Sequence, residues 1–229
     1  MLLGDRYRMA VSYPMDKVTS GQNFFRAYFA DMTAYINRPY SAVATSLGNF
    51  SGLFPASTAK QTRSVTLALP NSGTRDFSTG LYVMPGQSVT LTRVDKGTST
   101  LTAGLNMLRD TTWVFNPNRY TRPTQLQSPR IALLAGQSVT LTSPYGGPLY
   151  LFAAAAPGNA VQNVSVTAAG VITHPSLNDL NSGDQVTRFR AELNTTSTNW
   201  VTVTTDFLTV HSNLPNFRAT MNKYGGDLN

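Results

Sequence analysis

From Arg63 onward, apolar residues recur at every second position in short runs, and that period constrains the fold more than any other feature. Val65, Leu67 and Leu69 alternate with Ser64, Thr66 and Ala68, and the run stops at the turn cluster Pro70-Asn71-Ser72-Gly73. Comparable runs follow at Leu81–Met84, Ser88–Val94, Thr100–Leu105, Thr112–Phe115, Arg130–Leu134, Ser138–Thr142, Leu149–Phe152, Val161–Thr167, Val186–Leu193, Trp200–Thr204 and Phe207–His211. About a dozen strands separated by Gly, Pro and Asn turns predict a mainly β protein, an antiparallel, jelly-roll-like β-sandwich. No helix is expected between them, so parallel crossovers are not expected either.

An internal repeat supports this reading. Gly86-Gln87-Ser88-Val89-Thr90-Leu91-Thr92 recurs letter for letter as Gly136-Gln137-Ser138-Val139-Thr140-Leu141-Thr142, each time after a hydrophobic run. The glycine suits a tight turn, and Val and Leu fall on one face of the strand after it. A single recurrence is too little for a solenoid or propeller, and implies two similar hairpins in one sandwich.

Ahead of the strands, the 3.6-residue period predicts a helix over about Gln22–Asn37, with a stripe of Phe25, Tyr28, Phe29, Met32 and Ile36. Thr19 or Ser20 would cap it and Pro39 end it. The expected division is a helical arm with an irregular connection over 1–59, a β-sandwich over 60–213, and over 214–229 the start of a segment leading to a further domain.

Composition limits the chemistry. Of 229 residues 41% are hydrophobic, enough for a core, but only 13% are charged. Eleven residues are acidic, and Glu192 is the sole glutamate; there are two histidines and no cysteine. His174 and His211 lie far apart in β-type sequence without H-E-x-x-H, so structural roles are expected of them. No G-x-S-x-G elbow is present, and most of the acids adjoin turns. Asn178–Asp184 offers oxygen ligands but misses the calcium-loop spacing, and reads as an Asx-rich loop. No residue is assigned a catalytic or metal-binding role, and no cofactor is expected in this chain.

The net charge of +7 is spread along the chain, which argues against a nucleic-acid partner. No apolar run approaches the ~20 residues that membrane insertion by a helix requires, and Met1–Ala10 does not read as a signal peptide. Candidate binding residues come from the densest basic stretch: Arg119, Tyr120 and Arg122, where a ring could stack on a sugar and guanidiniums could meet acidic substituents. Tyr145, in Ser143-Pro144-Tyr145-Gly146-Gly147-Pro148, is added to them. The two glycines there permit unusual backbone angles or a close approach of another chain.

Three ordered motif groups carry a family resemblance. They are Ser78-Thr79-Gly80-Leu81-Tyr82-Val83-Met84-Pro85-Gly86-Gln87, then Arg122-Pro123 before Leu126-Gln127-Ser128-Pro129, then Ser143–Leu151. Together they resemble the region ahead of the catalytic motif in enhancin-like zinc metallopeptidases, a secreted bacterial, mucin-targeting family that includes immunomodulating metalloproteases. The stretches Arg190-Ala191-Glu192-Leu193 and Leu214–Met221 are similar to that family as well. The family's H-E-x-x-H and downstream Glu have no counterpart here, so no catalytic residue carries over.

The resemblance implies a non-catalytic, β-rich N-terminal part of a secreted or cell-surface bacterial metallopeptidase. Its expected partners are its own catalytic domain, which would hold the zinc, and mucin-type or other acidic glycoproteins. The alternative is a free-standing glycan-binding β-sandwich that uses the same candidate residues.

Overall fold

The computed structural model describes residues 3–4, 6–7, 15–32, 54–69, 73–106, 119–120, 127–143, 145–154, 163–205 and 208–225. The first elements in chain order are β1 (Met15–Asp16), α1 (Gly21–Met32), β2 (Gln61–Ala68), β3 (Thr74–Val83), β4 (Ser88–Arg93), β5 (Leu101–Leu105) and β6 (Arg119–Tyr120). They are followed by β7 (Ile131–Ala132), β8 (Ser138–Thr142), β9 (Gly147–Ala154), β10 (Asn163–Thr173) and β11 (Ser176–Leu177). The last are α2 (Gly183–Thr195), β12 (Trp200–Thr204), β13 (Thr209–Asn213) and α3 (Leu214–Lys223).

The expected antiparallel sandwich is present. Sheet one runs β2-β10-β4-β8, and sheet two runs from the end of β10 through β3, β9 and β5 to β7. Strand β10 serves both sheets: it pairs with β4 up to Ala169 and with β2 up to Val171, then with β3 at Ile172 and Thr173. The change of partner occurs at an irregularity around Gly170, where φ is +98° and an added Cβ would lie 2.6 Å from the Ser88 carbonyl oxygen. Only glycine fits so tight a crossing.

Alternation does for sheet one what the sequence implied. Val89, Leu91, Leu141, Val164, Val166 and Ala168 point inward, against Leu81, Val83, Leu101, Leu105, Leu149 and Leu151 of sheet two. The outer face of sheet one carries hydroxyl pairs instead, with Thr66–Ser165 at 3.0 Å and Ser64–Thr167 at 3.3 Å.

The repeated heptapeptides are not two separate hairpins. They form strands that pair with each other, Ser88↔Thr142 through Thr92↔Ser138, centred on Thr90↔Thr140. The contacts come in symmetric couples. Ser88–Thr142 and Thr92–Ser138 hydroxyls are both 2.7 Å apart, Gly86 N donates to Ser143 O at 2.9 Å, and Gly136 N donates to Arg93 O at 3.0 Å. Both glycines have positive φ, 69° and 73°, as the turn reading required.

Other expectations are corrected. The segment Val186–Leu193, expected as a strand, is part of helix α2, whose N-cap Ser182 accepts from Gln185 N. Ser182-x-x-Gln185 is a capping-box pattern, and Val186, Phe189 and Leu193 follow at helical spacing. That helix joins β11 to β12, which are parallel, so the chain does contain a helical crossover. With β13 antiparallel to β12, these strands make a third sheet. Its apolar residues Leu177 and Val201 pack with Phe189, Leu193 and Leu214 from α2 and α3.

Helix α1 lies where expected, with 33–37 outside the described residues, but among those described only Tyr28 of the predicted stripe packs on the buried cluster of Met15, Phe24 and Ala27. Phe24, Ala27 and Ala30 are buried, while Phe25 and Phe29 are 59% and 42% exposed. Asp16 holds the entry to the helix by accepting from the backbone N–H groups of Val18 and Thr19. The expected strand Thr112–Phe115 lies outside the described residues.

Candidate functional site

Sheet two is covered on both faces, and its second covered face is where the chemistry concentrates. Strand β9 carries Tyr150 toward the third sheet, while β12 and β13 set Thr202 and His211 in register with each other. His174 follows β10 directly. The Thr202 hydroxyl lies 2.9 Å from His174 Nε2, 3.3 Å from His211 Nδ1 and 3.3 Å from the Tyr150 hydroxyl, which is itself 2.9 Å from His211 Nδ1. Thr198 Oγ1 reaches His174 Nδ1 at 3.5 Å, and on the far side Tyr150 bonds to Ser78, whose hydroxyl meets that of Ser176 at 2.8 Å. Both histidines of the chain thus belong to one hydrogen-bonded chain of side chains.

Burial sets its protonation. His174 and Thr202 are fully buried, and Tyr150 is 2% exposed. Burial, with a small contribution from His211, pushes the His174 pKa down to about 3. Burial also lowers that of His211 and drives the Tyr150 phenol well above its ordinary value. At neutral pH both imidazoles are therefore neutral and the phenol keeps its proton. Hydroxyls flank each ring nitrogen that bonds, and a hydroxyl both donates and accepts, so the neutral network is satisfied. No substrate proton comes within reach of an imidazole sealed in this way, which removes a general-base role for His174. What the network does is hold the third sheet to sheet two.

Zinc does not fit here. A site needs three or four nitrogen, sulfur or carboxylate ligands, whereas these two imidazoles are committed to hydroxyls. Among the described residues no three of His, Cys, Asp and Glu come together in a way that could hold a metal.

A second buried polar cluster is also structural. Arg93, 1% exposed, pairs with Asp95 through Nε and Nη2 and donates to the carbonyls of Gly97, Ser99 and Leu133. Burial alone would raise the Asp95 pKa, but Arg93 and the N–H groups of Gly97 and Ser165 outweigh it and hold the carboxyl below its ordinary value. Arg93 is therefore a buried, paired charge rather than a surface one.

Three of the four predicted binding residues fall among the described residues. Arg119 and Tyr120 form β6, which pairs with β1 as Met15↔Tyr120 and Asp16↔Arg119. Arg122 lies outside the described residues. Tyr145 is fully buried, so its ring has no face to offer a sugar. The reason is visible beside it: Gly146 and Gly147 have positive φ and approach the backbone of Val83 and the side chain of Asn106 so closely that the loop folds inward. These unusual backbone angles and close approaches are what bury the tyrosine.

Sequence reasoning missed the convergence of the histidines, for which no spacing signal existed. It also missed that Arg190–Leu193 and Leu214–Met221, noted only for family resemblance, lie side by side. Arg218 donates through Nε and Nη2 to the Leu193 carbonyl, and Phe189 meets Phe217 edge-on at 5.9 Å between ring centres.

These features define a β-sandwich with a small α/β layer docked on its second sheet through a histidine–hydroxyl hub. Comparison with known proteins gives that domain its relatives. Residues 1–39, which include α1, match the family described as the immunomodulating metalloprotease helical domain. The whole chain is 32% identical over 240 residues to the immunomodulating metalloprotease of Pseudomonas aeruginosa, and spans 25% of that protein. Solved structures of that organism's IMPa metallopeptidase agree. One without a stated ligand superposes with a TM-score of 0.84, and one in complex with an O-glycopeptide with 0.83. Each has 31% identity and covers 98% of this chain and 26% of the other. A complex of the same metallopeptidase with T-antigen also gives 0.83. The chain is therefore homologous to a portion of an immunomodulating metalloprotease, and the resemblance read from its motifs extends over its whole length. No helix among the described residues is long and apolar enough to cross a membrane.

Proposed function

We propose that this chain is the non-catalytic, β-rich part of a secreted, glycoprotein-targeting zinc metallopeptidase, packed against the catalytic domain and helping to shape its substrate cleft. One observation carries the reading: all of the chain aligns with a metalloprotease, yet it accounts for only a quarter of that protein's length. The zinc would be held by residues elsewhere in the longer polypeptide. The relative's complexes with an O-glycopeptide and with T-antigen make O-glycosylated proteins the substrate class proposed here.

Within this role Arg119, Tyr120 and Arg122 remain the glycan-contacting candidates, because two guanidiniums flank one ring in a short run. Tyr145 is set aside because it is buried.

The reading frame of the source gene tests the proposal most directly. Read past Asn229, it should continue into H-E-x-x-H, and a stop codon with no such motif nearby would refute it. In the longer polypeptide, Tyr120→Ala should raise KM for an O-glycopeptide while leaving kcat with an unglycosylated analogue unchanged.

A further inference from the structure

Beyond Tyr150, the second face of sheet two carries a row of side chains at directly opposite positions: Ala132 on β7, Thr102 on β5, Phe152 on β9 and Asp76 on β3. Opposite residues share a face, so these four lie side by side. Ala132 and Asp76 are exposed and Thr102 is half-buried, while Phe152 between them is 6% exposed. Arg130 covers the ring. Its guanidinium carbon lies 3.6 Å from the ring centre, a distance at which the guanidinium rests flat on the aromatic face.

Two features put the guanidinium there. The β5–β7 register, continued by one residue, sets Arg130 opposite Gly104. A Cβ added at Gly104 would lie 3.2 Å from Phe152 Cε2 and 3.7 Å from Arg130 Cγ, so the arginine stem crosses the space that the glycine leaves open. Ser128 anchors the approach: its N–H donates to the Leu105 carbonyl at 2.8 Å, and its hydroxyl accepts from Leu105 N at 2.7 Å. Arg130 is itself exposed, and among the described residues its guanidinium makes this stack and no ion pair. Asp76, which reaches the ring from β3 rather than β7, has no ion pair there either. Stacking fixes the plane of the fork and leaves its N–H edges for a ligand.

The chemistry of that ligand follows from the three polar groups. A fixed guanidinium fork takes a carboxylate. The Asp76 carboxylate alongside repels a second negative charge and accepts hydroxyl protons instead, and Thr102 adds a hydroxyl that both donates and accepts. Polyanions and polyacidic peptides fit this poorly, whereas a single carboxylate among hydroxyls fits it. We propose that Arg130, Asp76 and Thr102 form a binding site for an acidic sugar, with its carboxylate on Arg130 and its hydroxyls on Asp76 and Thr102. The choice of a glycan as the source of the carboxylate rests on the glycoprotein-targeting reading above.

The test titrates the full, ¹⁵N-labelled chain with 3′-sialyllactose and follows the Arg130 Nε–H signal by NMR. Lactose is the neutral control, and N-acetylglutamate amide supplies a peptide-type carboxylate. Sialyllactose should shift the Arg130 signal to saturation by about 20 mM, lactose should leave it in place, and N-acetylglutamate amide should bind at least tenfold more weakly. Arg130→Gln should abolish saturable binding, read on the backbone amides of β5 and β9. Arg130→Lys, which keeps the stem and the charge but not the fork, should weaken it about tenfold. No saturation, an equal response to either control, saturable binding retained in Arg130→Gln, or shifts confined to another surface would each overturn the site. These outcomes are separate from the reading-frame test. A gene that continues into H-E-x-x-H while its chain ignores sialyllactose overturns the site alone, and a gene without that motif whose chain still binds overturns the metallopeptidase reading alone.

Discussion

Lowering the pH from 7.5 to 5.0 should destabilise this chain, with His174 setting much of the slope. Its imidazole is fully buried, and its pKa is pushed from 6.5 down to about 3 by burial and by the neighbouring His211. Between those two values the unfolded chain binds a proton that the folded chain refuses, so unfolding takes up protons and stability falls as pH falls. The full contribution is present above pH 6.5, and below it the loss approaches roughly 1.4 kcal/mol per pH unit. At pH 5.0 the single residue then costs about 2 kcal/mol relative to pH 7.5. His211, also depressed by burial, acts in the same direction. The experiment compares urea unfolding of the native chain and of His174→Gln at both pH values, followed by circular dichroism. Glutamine keeps a donor and an acceptor but does not titrate, so whatever it costs at pH 7.5 cancels when each protein is compared with itself. The native chain should lose about 2 kcal/mol more than the variant, with similar urea dependence. Equal losses, or an NMR titration placing the folded imidazole near 6.5, would refute the argument.

Four other substitutions test contacts and backbone geometry elsewhere in the fold. Thr202→Val deletes the hydroxyl shared by His174, His211 and Tyr150 and leaves buried polar atoms short of partners, so a loss of about 2–3 kcal/mol is expected in thermal or urea unfolding. Arg93→Met strands the Asp95 carboxylate and three backbone carbonyls, and should cost about 3–5 kcal/mol by the same measurement. Two glycine changes separate backbone strain from collision. Gly73→Ala, at φ +70° in open space, should cost about 1 kcal/mol, whereas Gly146→Ala would place its Cβ 2.4 Å from the Val83 carbonyl oxygen and should prevent recovery of folded protein.

How far the fold could be read depended on how many faces each element buries. Strands β4, β8 and β10 bury one face and expose hydroxyls on the other, so period-two alternation announced them. Helix α2 reads as a strand because β-branched and aromatic residues crowd its middle, while the information that decides it lies at its start, in Ser182 and Gln185. In α1 the bulk of Phe25 and Phe29 suggests burial for a face that stays exposed. Two alanines with Phe24 form the buried one, because small side chains allow close approach and large ones do not. The histidine hub was beyond any local pattern. It exists only when β12 and β13 stack on β9, a contact between positions up to 61 residues apart. Tyr145 failed as a surface candidate for a related reason: the glycines after it were recognised, but the direction in which they turn the loop depends on Val83 and Asn106.

The paired heptapeptides have a consequence for how the chain assembles. Two antiparallel strands with the same letters form a self-complementary seam, in which each half contains the full instruction for its partner. A β8 strand meeting the β8 of another molecule would find the same Val–Leu packing and the same two serine–threonine bonds that β4 offers within its own chain. Proximity along one chain, rather than any difference in sequence, selects the intramolecular pair. At high concentration, before sheet one has closed, that selection weakens, and strand exchange between molecules at this seam is the misassembly to which the fold is most open.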